Sequence, residues 1–156
     1  MNILALDMAT VTGWATLING RIESGFQDFA KRRGESNGML FLRFNAWLDG
    51  IGKDLNGKSM IELIVYERAH HRGGAATEIG VALMTRAQEY AVKIGAEYMA
   101  VHTASLKKFA TGRGNASKGC MVAWASGRMK RKITDDNEAD AIALLYYGMN
   151  EVGVTK

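Results

Sequence analysis

The sequence predicts an α/β fold: a five-stranded mixed sheet, three antiparallel strands then two parallel ones, flanked by helices. Three observations carry that expectation. Two short apolar runs read as strands: 3–6 (ILAL), which lacks the alternation of a half-wet strand and reads as buried on both faces, and 61–66 (IELIVY), rich in β-branched residues. Asn19-Gly20, between two strand-like segments, is a two-residue hairpin signal. Longer segments with apolar residues three and four apart follow, and these supply helices to cover the sheet.

The first strand, 3–6, ends at Asp7, where a buried strand would carry another apolar residue. A lone carboxylate there costs several kcal/mol unless it is paired or binds a cation. Two readings are open: a cation ligand, or a turn cap accepting from the amides of Met8 to Thr10. The second strand starts at Gly13 and runs to Ile18; the third returns over 21–26 after the hairpin. A polar, basic loop covers 27–38. Met39, Leu40, Phe44, Trp47, Leu48, Ile51 and Leu55 then mark an amphipathic helix ending near Asn56-Gly57.

The fourth strand, 61–66, is rich in β-branched residues and ends at a second carboxylate, Glu67. The loop 68–74 carries His70, His71 and two glycines. A helix over 75–94 presents Ile79, Leu83, Ala87, Tyr90, Ala91 and Ile94, and Gly95 stops it. The fifth strand is 97–101. Thr103 caps a short helix through Leu106 and Phe109; a loop at 111–115 (TGRGN) precedes a helix over 116–126. A basic linker, 127–134, leads to a last helix from about Asp135, with Ala139, Ile142, Ala143, Leu145, Tyr146 and Met149. The order βββαβαβ followed by helices is that of the ribonuclease H type.

At 156 residues the chain suits one domain, 1–156. No segment approaches the length of a membrane span, so no membrane partner is expected. Cys120 is the only cysteine, which excludes intramolecular disulfides and cysteine-rich zinc sites and suits a reducing cytosol. Adjacent His70 and His71 point in different directions and His102 is isolated, so zinc has little support. The formal charge of +4 favours a polyanionic partner. Its distribution says more: Lys107, Lys108, Arg113, Lys118 and the run 128–132 are basic, and Asp135, Asp136, Glu138 and Asp140 follow at once.

On the last helix Asp136 and Asp140 are four residues apart and share a face, with Asn137 and Asp140 nearly so, while Glu138 points elsewhere. Small Ala139, Ala141 and Ala143 let this helix lie close to a sheet. Asp7, Glu67 and Asp136/Asp140 can then converge from remote parts of the chain. Clustered carboxylates raise one another's pKa unless a cation sits between them, and hard oxygen ligands select Mg²⁺ or Mn²⁺. Two such ions can activate water and stabilise the leaving oxygen of a phosphodiester. Asp135 and Glu138 have a plainer role, complementing the positive end of the helix.

These residues resemble the RuvC family of Holliday junction resolvases, in a phage-like or otherwise divergent form. ILALDMATVTG resembles the family's first strand, with its acid at Asp7; IVYER matches the strand delivering Glu67; LKKFATGRGNASK resembles the lysine–glycine segment; NEADAIAL resembles the final helix, with Asp140 as its acid. The motifs fall in order along nearly the whole chain. The resemblance implies a homodimeric, Mg²⁺-dependent endonuclease of the bacterial cytoplasm that resolves four-way DNA junctions by paired nicks, with Mn²⁺ able to substitute. It implies Asp7, Glu67 and Asp140 as metal ligands and catalytic residues, to which Asp136 is added below, and a dimer interface involving the helix after Glu67. Lys118 would stabilise phosphate charge at the scissile bond, and Lys107 and Arg113 would hold the DNA backbone.

Two positions depart from the family pattern. The residue three before the final acid is Asn137 rather than an acid or histidine, so Asp136 one turn before Asp140 takes its place, with Asn137 as the alternative ligand. Where the pattern has an aromatic wedge after the second acid stands His70, which can stack on a base over less area. Two other readings stay open beside resolution of junctions: a nuclease for branched nucleic acids more broadly, and a non-catalytic junction-binding module. The second is disfavoured by the four acids, because a phosphate-binding module gains nothing from clustered negative charge. A sugar-kinase or actin-like ATPase also begins with a strand, an Asp and a Thr/Gly turn, but needs two such domains.

Overall fold

The computed structural model describes residues 1–69 and 73–154. Its sheet has five strands, β1 (Ile3–Asp7), β2 (Val11–Ile18), β3 (Arg21–Asp28), β4 (Leu63–Glu67) and β5 (Glu97–Val101), in the order β3-β2-β1-β4-β5. β1, β2 and β3 are antiparallel neighbours, and β4 lies parallel to both β1 and β5. The predicted mixed sheet is therefore present in strand number and direction.

β1 explains why its residues read as continuously apolar. Ile3 and Ala5 enter one core, Leu4 and Leu6 the other, and all four are completely buried. The first core lies under α3 (Thr103–Thr111), α4 (Lys118–Met129) and α5 (Asp136–Glu151). The second lies under α1 (Asn37–Gly50) and α2 (Ala75–Ile94), where Leu40, Phe44 and Leu48 meet Leu83, Ala87, Tyr90 and Ala91. Phe29, Phe44 and Trp47 close its rim edge-to-face and tilted, with ring centroids 5.4–6.1 Å apart.

α5 is the central helix. It crosses β1 and β2, and α3 and α4 pack on its outer side, so Ala139 through Leu145, apart from part of Asp140, are buried. Two glycines set how near it comes. A Cβ on Gly13 of β2 would lie 1.9 Å from the Asn137 carbonyl oxygen, and one on Gly148 would lie 2.6 Å from Val65 of β4. The helix can settle on the sheet only because both side chains are missing.

Some boundaries differ from the sequence expectation. α1 ends at Gly50 rather than near Asn56, and Leu55, read as its last apolar position, is fully exposed. Residues 53–59 instead form a small turn, in which the Asp54 carboxylate accepts from the amides of Asn56 and Lys58. α4 begins two residues later than expected and runs three further, capped by the Ser117 hydroxyl accepting from the Cys120 amide. Among the described residues no helix is long and apolar enough to cross a membrane.

Candidate active site

β1 and β4 run in parallel with Leu6 beside Tyr66, so their last residues, Asp7 and Glu67, emerge together at one edge of the sheet. Neighbouring strands lie about 4.8 Å apart, which keeps two carboxylates on adjacent strand ends within strong mutual repulsion. The partner of Asp7 across β2 is Gly13, the glycine against which α5 rests. One contact therefore fixes the start of α5, with Asp136 and Asp140, over the end of β1.

The electrostatics reflect the proximity of these groups. Asp7 is held well above the usual carboxylate range, first by burial and then by the charges of Asp140, Glu67, Asp136 and Asp135. Asp140 is pushed up to about 6 by burial and Glu67, while the Lys107 ammonium opposes the rise. The turn-cap reading of Asp7 fails: among the described residues no amide of Met8, Ala9 or Thr10 donates to it. The turn is tied instead by the Thr12 hydroxyl donating to the Ala9 carbonyl at 2.7 Å.

Basic groups stand over the acids from two helices. Lys118, the first residue of α4, donates to Asp136, and this pair holds Asp136 below and Lys118 above their ordinary values. Lys107 reaches the site from the middle of α3. The glycines between the two lysines have separate uses. Gly112 ends α3 in the left-handed region and donates to the Lys108 carbonyl, while Gly114 passes close to the Ala104 backbone, where a Cβ would come within 3.2 Å of its oxygen. Arg113, exposed between them, projects from the folded-back loop.

Three features escaped the sequence reading. Thr103 does not cap α3; the N-cap is His102, with no side-chain bond, and the Thr103 hydroxyl donates to Glu67 Oε1 at 2.5 Å. Its spacing of four from Lys107 was the available signal, since it puts both on one helix face. Gly13 is expected only as the start of a strand, although a residue without a side chain facing an acid marks a close approach. Glu138 was assigned to the helix N-terminus, yet it is 6% exposed and joins the Ser24 hydroxyl of β3, 2.8 Å away, and the Arg131 guanidinium. Asp135 does act as the N-cap, accepting from the Glu138 amide at 2.9 Å. His70 and His71 lie outside the described residues.

A cleft of about 230 Å³, lined by Asp7, Met8, Glu67, Arg68, Ala76 and Gly80 among others, opens beside the acids. The donor set suits a hard divalent cation: four carboxylates, no sulfur, and a half-buried Asp7 whose charge a nearby cation would favour. Among the described residues no three His, Cys, Asp or Glu side chains are already drawn into a metal cage.

No protein-family model matches the chain, and no curated protein does. A parallel pair of strand ends carrying acids, with an antiparallel hairpin on one side and an acid-bearing helix across it, defines a ribonuclease H-like fold of the RuvC kind. Two solved structures place it there. The Thermus thermophilus RuvC structure matches 100% of this chain and 99% of its own, with a TM-score of 0.74 at 15% identity. T. thermophilus RuvC in complex with Holliday junction substrate matches 100% and 98%, with a TM-score of 0.76 at 16% identity. The likeness is one of fold, and it spans the whole of both chains.

Proposed function

We propose that this protein is a divalent-metal-dependent endodeoxyribonuclease that resolves four-way DNA junctions. The observation that carries the reading is the meeting of Asp7, Glu67 and Asp140 at the ends of β1, β4 and the first turns of α5. That meeting has no structural benefit, because Asp140 and Glu67 make Asp7 harder to ionise and Glu67 does the same to Asp140. It occurs in a chain that shares the RuvC fold end to end, and the protein in one of those structures holds a Holliday junction.

Asp7, Glu67, Asp140 and Asp136 would hold Mg²⁺, or Mn²⁺ in its place, with Asn137 the alternative to Asp136. Bound there, a pair of such ions supplies an activated water and charge stabilisation for phosphodiester hydrolysis, in which water bonds to phosphorus as one ester oxygen leaves. The chain's own groups do the rest. Lys118, released from Asp136, meets the negative charge growing on the scissile phosphate. Lys107 and Arg113 grip the backbone on either side of the glycine loop, and they position without reading sequence. His70 would stack on a base at the junction. Two copies of the chain, placing two sites on one four-way junction, would give paired nicks.

The test is cleavage of a labelled four-way junction and a matched linear duplex, with Mg²⁺ and with EDTA. Asp7→Asn should cut at less than about one hundredth of the wild-type rate, a loss beyond that typical of a residue acting through a ligand. It should bind the junction at least as well, since a negative charge facing phosphate is gone. Tight junction binding with no cutting by the wild type in Mg²⁺ or Mn²⁺ would leave a binding module. Equal cutting of forks and flaps would leave a broader branched-DNA nuclease.

A further inference from the structure

We infer that Thr103 is a positioning residue that fixes the carboxylate of Glu67 and thereby sets the affinity of the site for its divalent cation; this rests on the metal-dependent reading above. A threonine in the first turn of a helix ordinarily spends its hydroxyl within that turn. The hydroxyl of Thr103 leaves its helix and donates to Glu67, 36 residues away in the chain. The sheet makes this meeting unavoidable. Glu67 lies beside Val101 in the β4–β5 pairing, and the Arg68 amide donates to the Val101 carbonyl at 2.8 Å, so the chain leaving β5 carries Thr103 past the Glu67 side chain two residues later.

A hydroxyl donor suits a ligand carboxylate because it commits one oxygen without adding a competing charge. It also restrains a side chain with three rotatable bonds at the end of a strand. Thr103 and Lys107 lie one helical turn apart on the same face of α3, so a single helix both orients Glu67 and sets a cation beside Asp140. Thr103 touches neither substrate nor cation; its effect passes through Glu67.

The measurement is Mn²⁺ binding to the full chain without DNA, by titration calorimetry, with junction cleavage across Mn²⁺ concentration and melting temperature alongside. Thr103→Val keeps the shape and removes the donor. It should weaken Mn²⁺ binding by about tenfold or more, with the half-saturating Mn²⁺ for cutting raised in step and the melting temperature unmoved. Thr103→Ser keeps the hydroxyl and should restore the affinity. Thr103→Ala gives the same reading should valine fail to fold. Valine and alanine variants that bind Mn²⁺ as tightly as the wild type would overturn the role of Thr103 while leaving the nuclease standing, and so would a serine variant as weak as valine. A wild type that neither binds Mn²⁺ nor cuts would remove the metal-dependent reading and this inference together.

Discussion

Asp140 is ionised at neutral pH only against its surroundings. Burial and Glu67 push it up to about 6, outweighing the pull of Lys107. A carboxyl group with a folded-state value above its unfolded value is protonated more readily when folded. It therefore costs stability once pH exceeds the unfolded value near 4, and the cost is complete above about 6. In EDTA, the wild type should lose stability between pH 4.5 and 7 relative to Asp140→Asn, and the variant should be more stable at pH 7.5 by roughly 1–3 kcal/mol. Urea unfolding at pH 5 and 7.5 reads the difference; parallel curves for the two proteins would refute it. Saturating Mg²⁺ should narrow the gap, because a bound cation stabilises the ionised acids of the wild type. Asp7 and Glu67 were legible in the sequence because each interrupts an apolar run at a strand end. Thr103 and Glu138 were not, because their partners, Glu67 and Ser24, lie 36 and 114 residues away and no local pattern encodes that pairing.

The element on which the site depends is α5, and its height above the sheet is set at Gly13 and Gly148. The alanines of this helix announced close packing, but the matching gap in β2 could be seen only once the register placed Gly13 beside Asp7. Gly13→Ala would drive a methyl group into the Asn137 carbonyl, backbone that cannot swing aside, and α5 would have to rise or tilt at its acidic end. The expected cost is about 2–3 kcal/mol, with junction cutting lost more completely than junction binding, since Lys107 and Arg113 sit on other elements. A variant that melts and cuts like the wild type would show that Gly13 does not set the approach. Helix periodicity located every helix, yet it overran α1. Leu55 continues the spacing by chance, while Gly52 at φ +69 turns the chain away from the helix. A window of apolar residues cannot tell a buried position from an exposed one at its own end.

At the scale of the molecule, the acids form a small negative well inside a basic surround. Lys118 is 81% exposed at the side chain, and Lys108 and Arg113 are exposed, while Lys107 leans inward toward Asp140. Charge of this kind was readable from the sequence, since exposed lysines and arginines need no partner to be counted. The surface of the proposed dimer was not. Leu83 and Tyr90 of α2 turn out to be buried against α1, leaving the outward positions of α2, Val92 among them, for any contact between copies. A single site nicks one strand, so paired nicks require two chains: sedimentation should give a mass twice the chain's 17.0 kDa, and a supercoiled cruciform should pass directly to linear product. Dilution below the dimer's dissociation constant should convert that product to nicked circles. The proposed phosphate contacts of these side chains would fix the salt dependence as well. Junction binding measured in EDTA should weaken linearly in log–log salt, and Arg113→Ala should reduce the slope by about 0.9, the share of one phosphate. Lys118→Ala should change the slope less in the absence of metal, because Lys118 is engaged with Asp136 and has to exchange one anion for another. Equal slope changes for the two variants would mean that Lys118 faces phosphate from the start, and its bond to Asp136 would then have no part in catalysis.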